Sequence, residues 1–303
     1  MERAILKTLS YYDIFNFPLK AWEIHKWLVG QQASLRQVEK SLRFLIHKAK
    51  IKKQKDYYLI GKTGLIRERV KKEKISKKHL QTAKNISLLF KLIPWIKLIG
   101  VSGSLAMMGS SRKDDIDLFI VTSENRIWIS RLFLIFLTSL TGLRRKRREK
   151  ILQANGKICI NLILEENNLA QTKGNIYLAH EVLQMRLLWQ RNQIYSKFLH
   201  DNSWVFRYLP NWKSGVVESK NHKPSPFLEI KKRRHLTASK KEKPRTNLVD
   251  LLEDLAKRFQ LKIMNGPSGL ERIENGALYF HPEDKGKKIL EEYDKRLKKL
   301  SLA

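Results

Sequence analysis

The chain has 303 residues, 42% of them hydrophobic and 9% aromatic, with 61 Lys+Arg against 29 Asp+Glu and a formal net charge of +32. That apolar content supports two or three small packed domains and excludes a wholly disordered chain. The single cysteine, Cys159, excludes a disulfide framework and a Cys-rich zinc module.

The charge attracts polyanions in a salt-dependent way, with nucleic acid, RNA or DNA, the first candidate. The same lysines also suit ordinary solvated faces. The opening MERAILKTLSYYDIFNFPL lacks the charged-then-apolar pattern of a signal peptide. With the lone cysteine, this makes a cytoplasmic location the expectation.

Residues 1–61 predict three helices and a hairpin. Ile5, Leu6, Leu9 and Tyr12 form one helical stripe, and Trp22, Ile24, Trp27 and Leu28 a second. Ser34 and Gln37 form a capping box, after which Leu35, Val38, Leu42 and Leu45 recur at helical spacing. IKKQKDYYLIG then reads as two short strands around a charged turn. Three helices and a wing are the order of a winged helix-turn-helix. Arg36, Lys40 and Arg43 lie on one face of the third helix, as nucleic-acid contact requires. A protein-docking module with a solvated basic face fits the same pattern.

Residues 62–94 predict a lysine-rich helical connector ending near Pro94. Over 95–175 the texture becomes α/β: IKLIGVS, DIDLFIVT and KICINLIL have the length of buried strands. The apolar stretch from Ile127 to Leu143 contains Arg131 and is too short to cross a bilayer core needing about 20 apolar residues. A buried helix is expected there; a helix lying on an anionic membrane with RRKRREK against headgroups is the alternative. Residues 176–212 predict an aromatic-rich helical extension, 213–246 a basic linker with Pro224, Pro226 and Pro244, and 247–303 a C-terminal helical segment. In the last of these, Pro282, Glu283 and Asp284 suit a helix start.

The stretch GSLAMMGSSRKDDIDLFIV carries the chemistry. In a strand, Asp115 and Asp117 share one face while Ile116 and Leu118 enter a core. Two adjacent carboxylates call for a hard cation such as Mg²⁺, or else cap a turn at the strand start. Gly103 permits close backbone approach, and Ser104 opens a short helix whose N–H groups suit phosphate oxygens. Arg112 and Lys113 stand beside the pair, either neutralising a triphosphate or lying in an ordinary exposed loop. Cys159 reads as a small buried apolar residue. His180 and Glu181 open HEVLQ, which fails the HExxH zinc pattern at Gln184, and read as plain helix residues.

GSLAMMGSSRKDDIDLFIVT resembles the Gly-Ser, spacer, Asp-x-Asp signature of the DNA polymerase beta-like nucleotidyltransferase superfamily, over about Ile96 to Leu164. The order of winged helix, this core and a terminal FHPEDKGKKILEEYDKRL helix is similar to that of bacterial nucleotidyltransferase-domain proteins. The resemblance implies an α/β (α+β) core with a mixed sheet, followed by a helical C-terminal region. It implies that Gly103 and Ser104 contact nucleotide phosphates and that Asp115 and Asp117 bind catalytic Mg²⁺, two ions being usual. The activity implied is transfer of a nucleoside monophosphate from an NTP to a hydroxyl acceptor.

Such enzymes add a third carboxylate from the next strand, where Asn161 stands in this sequence. Asparagine offers a carbonyl oxygen but neither charge nor basicity. Glu165 lies about 13 Å further along a regular strand, and Asp114 faces the other way. Asn161 therefore keeps open a second reading, a weak or inactive nucleotide-sensing regulator that binds nucleic acid.

Overall fold

The computed structural model describes residues 1–145, 155–171, 174–212, 247–264, 272–280 and 285–302. The expected linker 213–246, the basic run from 146 onward, and Pro282, Glu283 and Asp284 lie outside the described residues.

The chain begins with helix α1 (Glu2–Asp13), strand β1 (Leu19–Lys20), α2 (Ala21–Lys26), α3 (Leu35–His47), β2 (Lys52–Gln54) and β3 (Tyr57–Leu59). The three strands form a small antiparallel sheet in the order β1-β3-β2. The capping box of α3 is present: the Ser34 hydroxyl accepts from Gln37 N at 3.3 Å, and Gln37 Oε1 accepts from Ser34 N at 2.8 Å. Val38, Leu42 and Leu45 are buried beneath it, while Arg36, Lys40 and Arg43 are exposed.

The 25-residue helix α4 (Ile66–Phe90) follows. It does more than connect, because Ala83, Ile86 and Phe90 are buried against the main sheet. Its first turns also hold the N-terminal unit. Arg69 donates to Glu23 of α2 at 3.0 Å, with its guanidinium 3.9 Å from the centre of the Phe17 ring.

The main sheet contains β4 (Ile96–Val101), β5 (Ile116–Thr122), β6 (Ile158–Glu165), β7 (Arg186–Gln190), β8 (Arg272–Glu274) and β9 (Ala277–Tyr279), in the order β7-β4-β5-β6-β9-β8. Among the described strands only β5 and β6 pair in parallel, so the sheet is mixed. Helix α5 (Gly103–Ala106) follows β4, and α6 (Ile127–Leu140) lies between β5 and β6. Helices α7 (Ile176–Gln184), α8 (Ile194–Asp201), α9 (Leu248–Met264) and α10 (Lys285–Lys299) complete the described elements, with a 3-10 turn at Ser203–Arg207.

Two features differ from the expectation. The stretch 176–212 contains a strand: RLLWQ is a five-residue half-buried run that pairs with β4, too short for periodicity to distinguish from helix. The C-terminal segment contains the hairpin β8–β9, which joins the main sheet along β6.

Side chains alternate between two cores. On one face Ile96, Ile99, Val101, Ile116, Leu118, Ile120 and Ile163 pack under α4, α6 and α9. On the other, Leu98, Phe119, Val121 and Leu164 pack with α7, α8, α10 and the N-terminal unit. The N-terminal helices share this second core. Gln184 of α7 donates to Tyr12 Oη at 3.0 Å, and Asn211 bonds His25 O and Ala33 N. Among the described residues no helix is long and apolar enough to cross a membrane. Helix α6, expected to be buried, is buried on one side only: Ile127, Trp128, Ile129 and Leu134 lie inside, while Phe133, Phe136 and Leu140 are exposed.

Candidate functional site

Alternation along β5 sends Ile116 and Leu118 into the core under α6, and so turns Asp117 toward the face of α7 and α10. Asp115 precedes the strand on that same side. Their carboxylates and the Cys159 sulfur lie within 4.8 Å of one another. The cluster sits beneath the turn that ends β4. Ser102 N donates to Asp117 O at 3.0 Å, and Gly103 adopts φ +60, a left-handed conformation that favours glycine. A Cβ there would stand 2.8 Å from Asp117 Oδ2, so the carboxylate occupies the space a side chain would take.

Asp114 is turned away from this pair and organises the loop. It accepts from the Ser104 hydroxyl at 3.0 Å, from Ser111 N at 3.0 Å and from the Ser111 hydroxyl at 2.6 Å. Ser104 is therefore at the turn, with its hydroxyl proton directed to Asp114 rather than free for a ligand.

In the parallel pairing of β5 and β6, Asp117 stands opposite Cys159, and the register then shifts so that Leu118 faces Ile160 but Phe119 faces Leu162. Asn161 is the extra residue of that bulge, and its carbonyl accepts from Phe280 N at 3.0 Å. Cys159, not Asn161, thus holds the place directly across from the aspartates. The family resemblance singled out Asn161 on this strand, and a bulge has no signature in a run such as ICINLIL.

Arg145 supplies positive charge. It forms an ion pair with Asp115 and a hydrogen bond to Cys159, anchored by its own backbone N to Ile158 O at 3.1 Å. Burial, then the neighbouring Asp115, raises the Asp117 carboxyl to about 7, against the pull of Lys285 on α10. Burial likewise raises Glu181 of α7 to about 7, again opposed by Lys285. Burial, then Asp117 and Asp115, pushes the Cys159 thiol well up.

Further cations flank the turn. Arg186 of β7 lies opposite Val101 and donates Nε to Ala106 O at 2.8 Å. Lys26 of α2 is lowered by burial and then by Arg186, so two like charges are held near each other. Glu181, Lys285, Lys26 and Arg186 come from four separate elements, and no local spacing links them to GSLAMM. In the N-terminal unit, Arg36, Lys40 and Arg43 line a shallow groove with Ser34 and Gln37, well away in sequence from the aspartates.

The donor set fits a divalent cation: two carboxylates on one face, a third donor across the strand pair, and a glycine turn beside them. No protein-family model and no curated protein matches the chain. A solved structure described as "Crystal structure of the toxin-antitoxin with AMP-PNP" is 20% identical over 44% of this chain and 93% of that chain. Its TM-score of 0.27 is too low to carry an argument.

Proposed function

We propose that this chain is a divalent-metal-dependent nucleotidyltransferase that moves a nucleoside monophosphate from an NTP to a hydroxyl acceptor. The observation that carries the reading is the convergence of Asp115 and Asp117 beneath Gly103, whose missing side chain lets the Asp117 carboxylate lie directly against the turn. The aspartates would hold the metal, which would supply charge neutralisation and alignment for an in-line displacement; Mg²⁺ accompanies nucleoside triphosphates.

The chain's own residues would bind and orient. Gly103 would let a triphosphate approach the backbone of the turn, and Arg186 sets positive charge at the end of the short helix that follows it. Attack of the acceptor hydroxyl oxygen on the α-phosphorus would form one P–O bond, break the bond to the β-phosphate with release of pyrophosphate, and give the hydroxyl proton up to solvent. The N-terminal unit, read as a winged helix-turn-helix, would present Arg36, Lys40 and Arg43 to RNA or DNA.

The deciding experiment is thermal stabilisation by each nucleoside triphosphate, with and without divalent metal, for wild type and for D115A/D117A. A ligand at about 100 times its Kd stabilises by roughly 2.7 kcal/mol. Stabilisation that needs metal and disappears in the double variant supports the reading; no shift with any nucleotide overturns it. The second reading, a nucleotide-sensing regulator with little turnover, is favoured by the absence of a third carboxylate opposite Asp117. A large gain of transfer in N161D or C159D over a silent wild type would select it.

A further inference from the structure

We propose that Cys159 is the third ligand of the position formed by Asp115 and Asp117, and that the ion resident there is a thiophilic divalent cation of the Zn²⁺/Co²⁺ class. This rests on the reading above, which makes the aspartate pair a metal position, and it alters the identity of one ion there. The nucleotide still brings Mg²⁺ on its phosphates.

Position is the first ground. Cys159 is directly across the strand pair from Asp117, and its sulfur and both carboxylates lie within 4.8 Å of one another. A tetrahedral ion bound at about 2.0–2.3 Å holds neighbouring donors roughly 3.5 Å apart, so the set needs to close by about 1 Å, within reach of side-chain rotation.

The surroundings of the sulfur are the second ground. Cys159 is 9% exposed, yet its neighbours on this face are two carboxylates and the Arg145 guanidinium. Alanine or valine would fill a strand position in a core as well as cysteine does, but neither offers a donor. Asn161, displaced into the bulge, does not take that place.

Donor chemistry is the third ground. Mg²⁺ takes oxygen ligands, whereas thiolate selects softer ions such as Zn²⁺. On binding, the thiol gives its proton to solvent and the sulfur becomes a thiolate ligand. The divalent ion together with Arg145 then balances two carboxylates and one thiolate. Three protein donors leave a fourth position for water or a phosphate oxygen.

The chain has one cysteine, so a thiolate-to-metal signal has one source. The test titrates Co²⁺ into reduced, metal-free full-length protein and follows near-ultraviolet thiolate-to-cobalt charge transfer. The expected result is a band that saturates at one equivalent, is displaced by Zn²⁺ and is absent in C159S. Since losing even an outer-shell partner weakens metal binding 10–100-fold, C159S is expected to raise the Zn²⁺ Kd by at least about tenfold.

C159D retains three protein donors and is expected to bind Mg²⁺ more tightly than wild type while losing the band, and circular dichroism confirms that each variant is folded. Co²⁺ binding without the band, or equal Zn²⁺ affinity in C159S, overturns the inference. If that happens while Mg²⁺ and ATP still stabilise wild type, the nucleotidyltransferase reading stands alone. If neither metal nor nucleotide binds, both fall.

Discussion

Gly103 and Asp117 are packed so that the carboxylate fills the place of a missing side chain, 2.8 Å from where a Cβ would stand. Gly142, at φ +67, has nothing within 4 Å of its own Cβ position. G103A and G142A should therefore each lose about 1–2 kcal/mol from the left-handed backbone alone. Only G103A displaces Asp117 as well. Urea titrations should show losses of that order in both, while nucleotide- and metal-dependent stabilisation disappears only in G103A.

Adjacent residues on α7 give opposite pH dependence. His180 is stacked on Tyr11 with ring centroids 4.0 Å apart, and burial lowers it from 6.5 to about 3. The unfolded chain therefore binds the proton more readily, and stability falls as pH drops from 6.5 toward 3. Glu181 is raised from 4.5 to about 7, so the folded state holds the proton more tightly. Its contribution is lost as pH rises from 4.5 through 7. In melting curves against pH, E181Q should be stabilising above 7 and neutral below 4.5. H180F should flatten the acid limb.

Glu253 of α9 is buried and accepts from Trp128 N and Ile129 N of α6, both at 2.8 Å. It thus satisfies two of the open donors at the start of that helix. E253A should cost about 1–3 kcal/mol through stranded N–H groups. E253Q, which keeps one acceptor, should cost less. Denaturant midpoints for the pair provide the check.

The exposed trio Arg36, Lys40 and Arg43 is expected to contact phosphates. R36A/K40A/R43A should weaken RNA or DNA binding across sequences and reduce the slope of log K against log salt by about 3, one for each cation. Fluorescence anisotropy at several salt concentrations measures it. Unchanged affinity and slope would reassign this face to another partner.

The legible parts of the sequence were those with local physics. Asp115 and Asp117 follow from strand alternation, and α3 from a capping box followed by Val38, Leu42 and Leu45. Cys159 was passed over because its partnership with Asp117 depends on register between strands separated by α6. The hairpin β8–β9 did carry a mark: Asn275-Gly276, with Gly276 at φ +71, is a two-residue turn signal. Lys26, Glu181, Arg186 and Lys285 meet only through tertiary packing, which no window of the sequence contains.

The order in which the sheet is completed has a consequence for synthesis. Strand β6 is bordered by β5, made shortly before it, and by β9, made after α7, α8 and α9. A nascent chain therefore carries an open Ile- and Leu-rich strand edge until β9 has left the ribosome, and such edges invite wrong pairing. Lys285, the cation that offsets Asp117 and Glu181, emerges later still. The aspartates are made well before Lys285, so their electrostatic surroundings are complete only when α10 has docked.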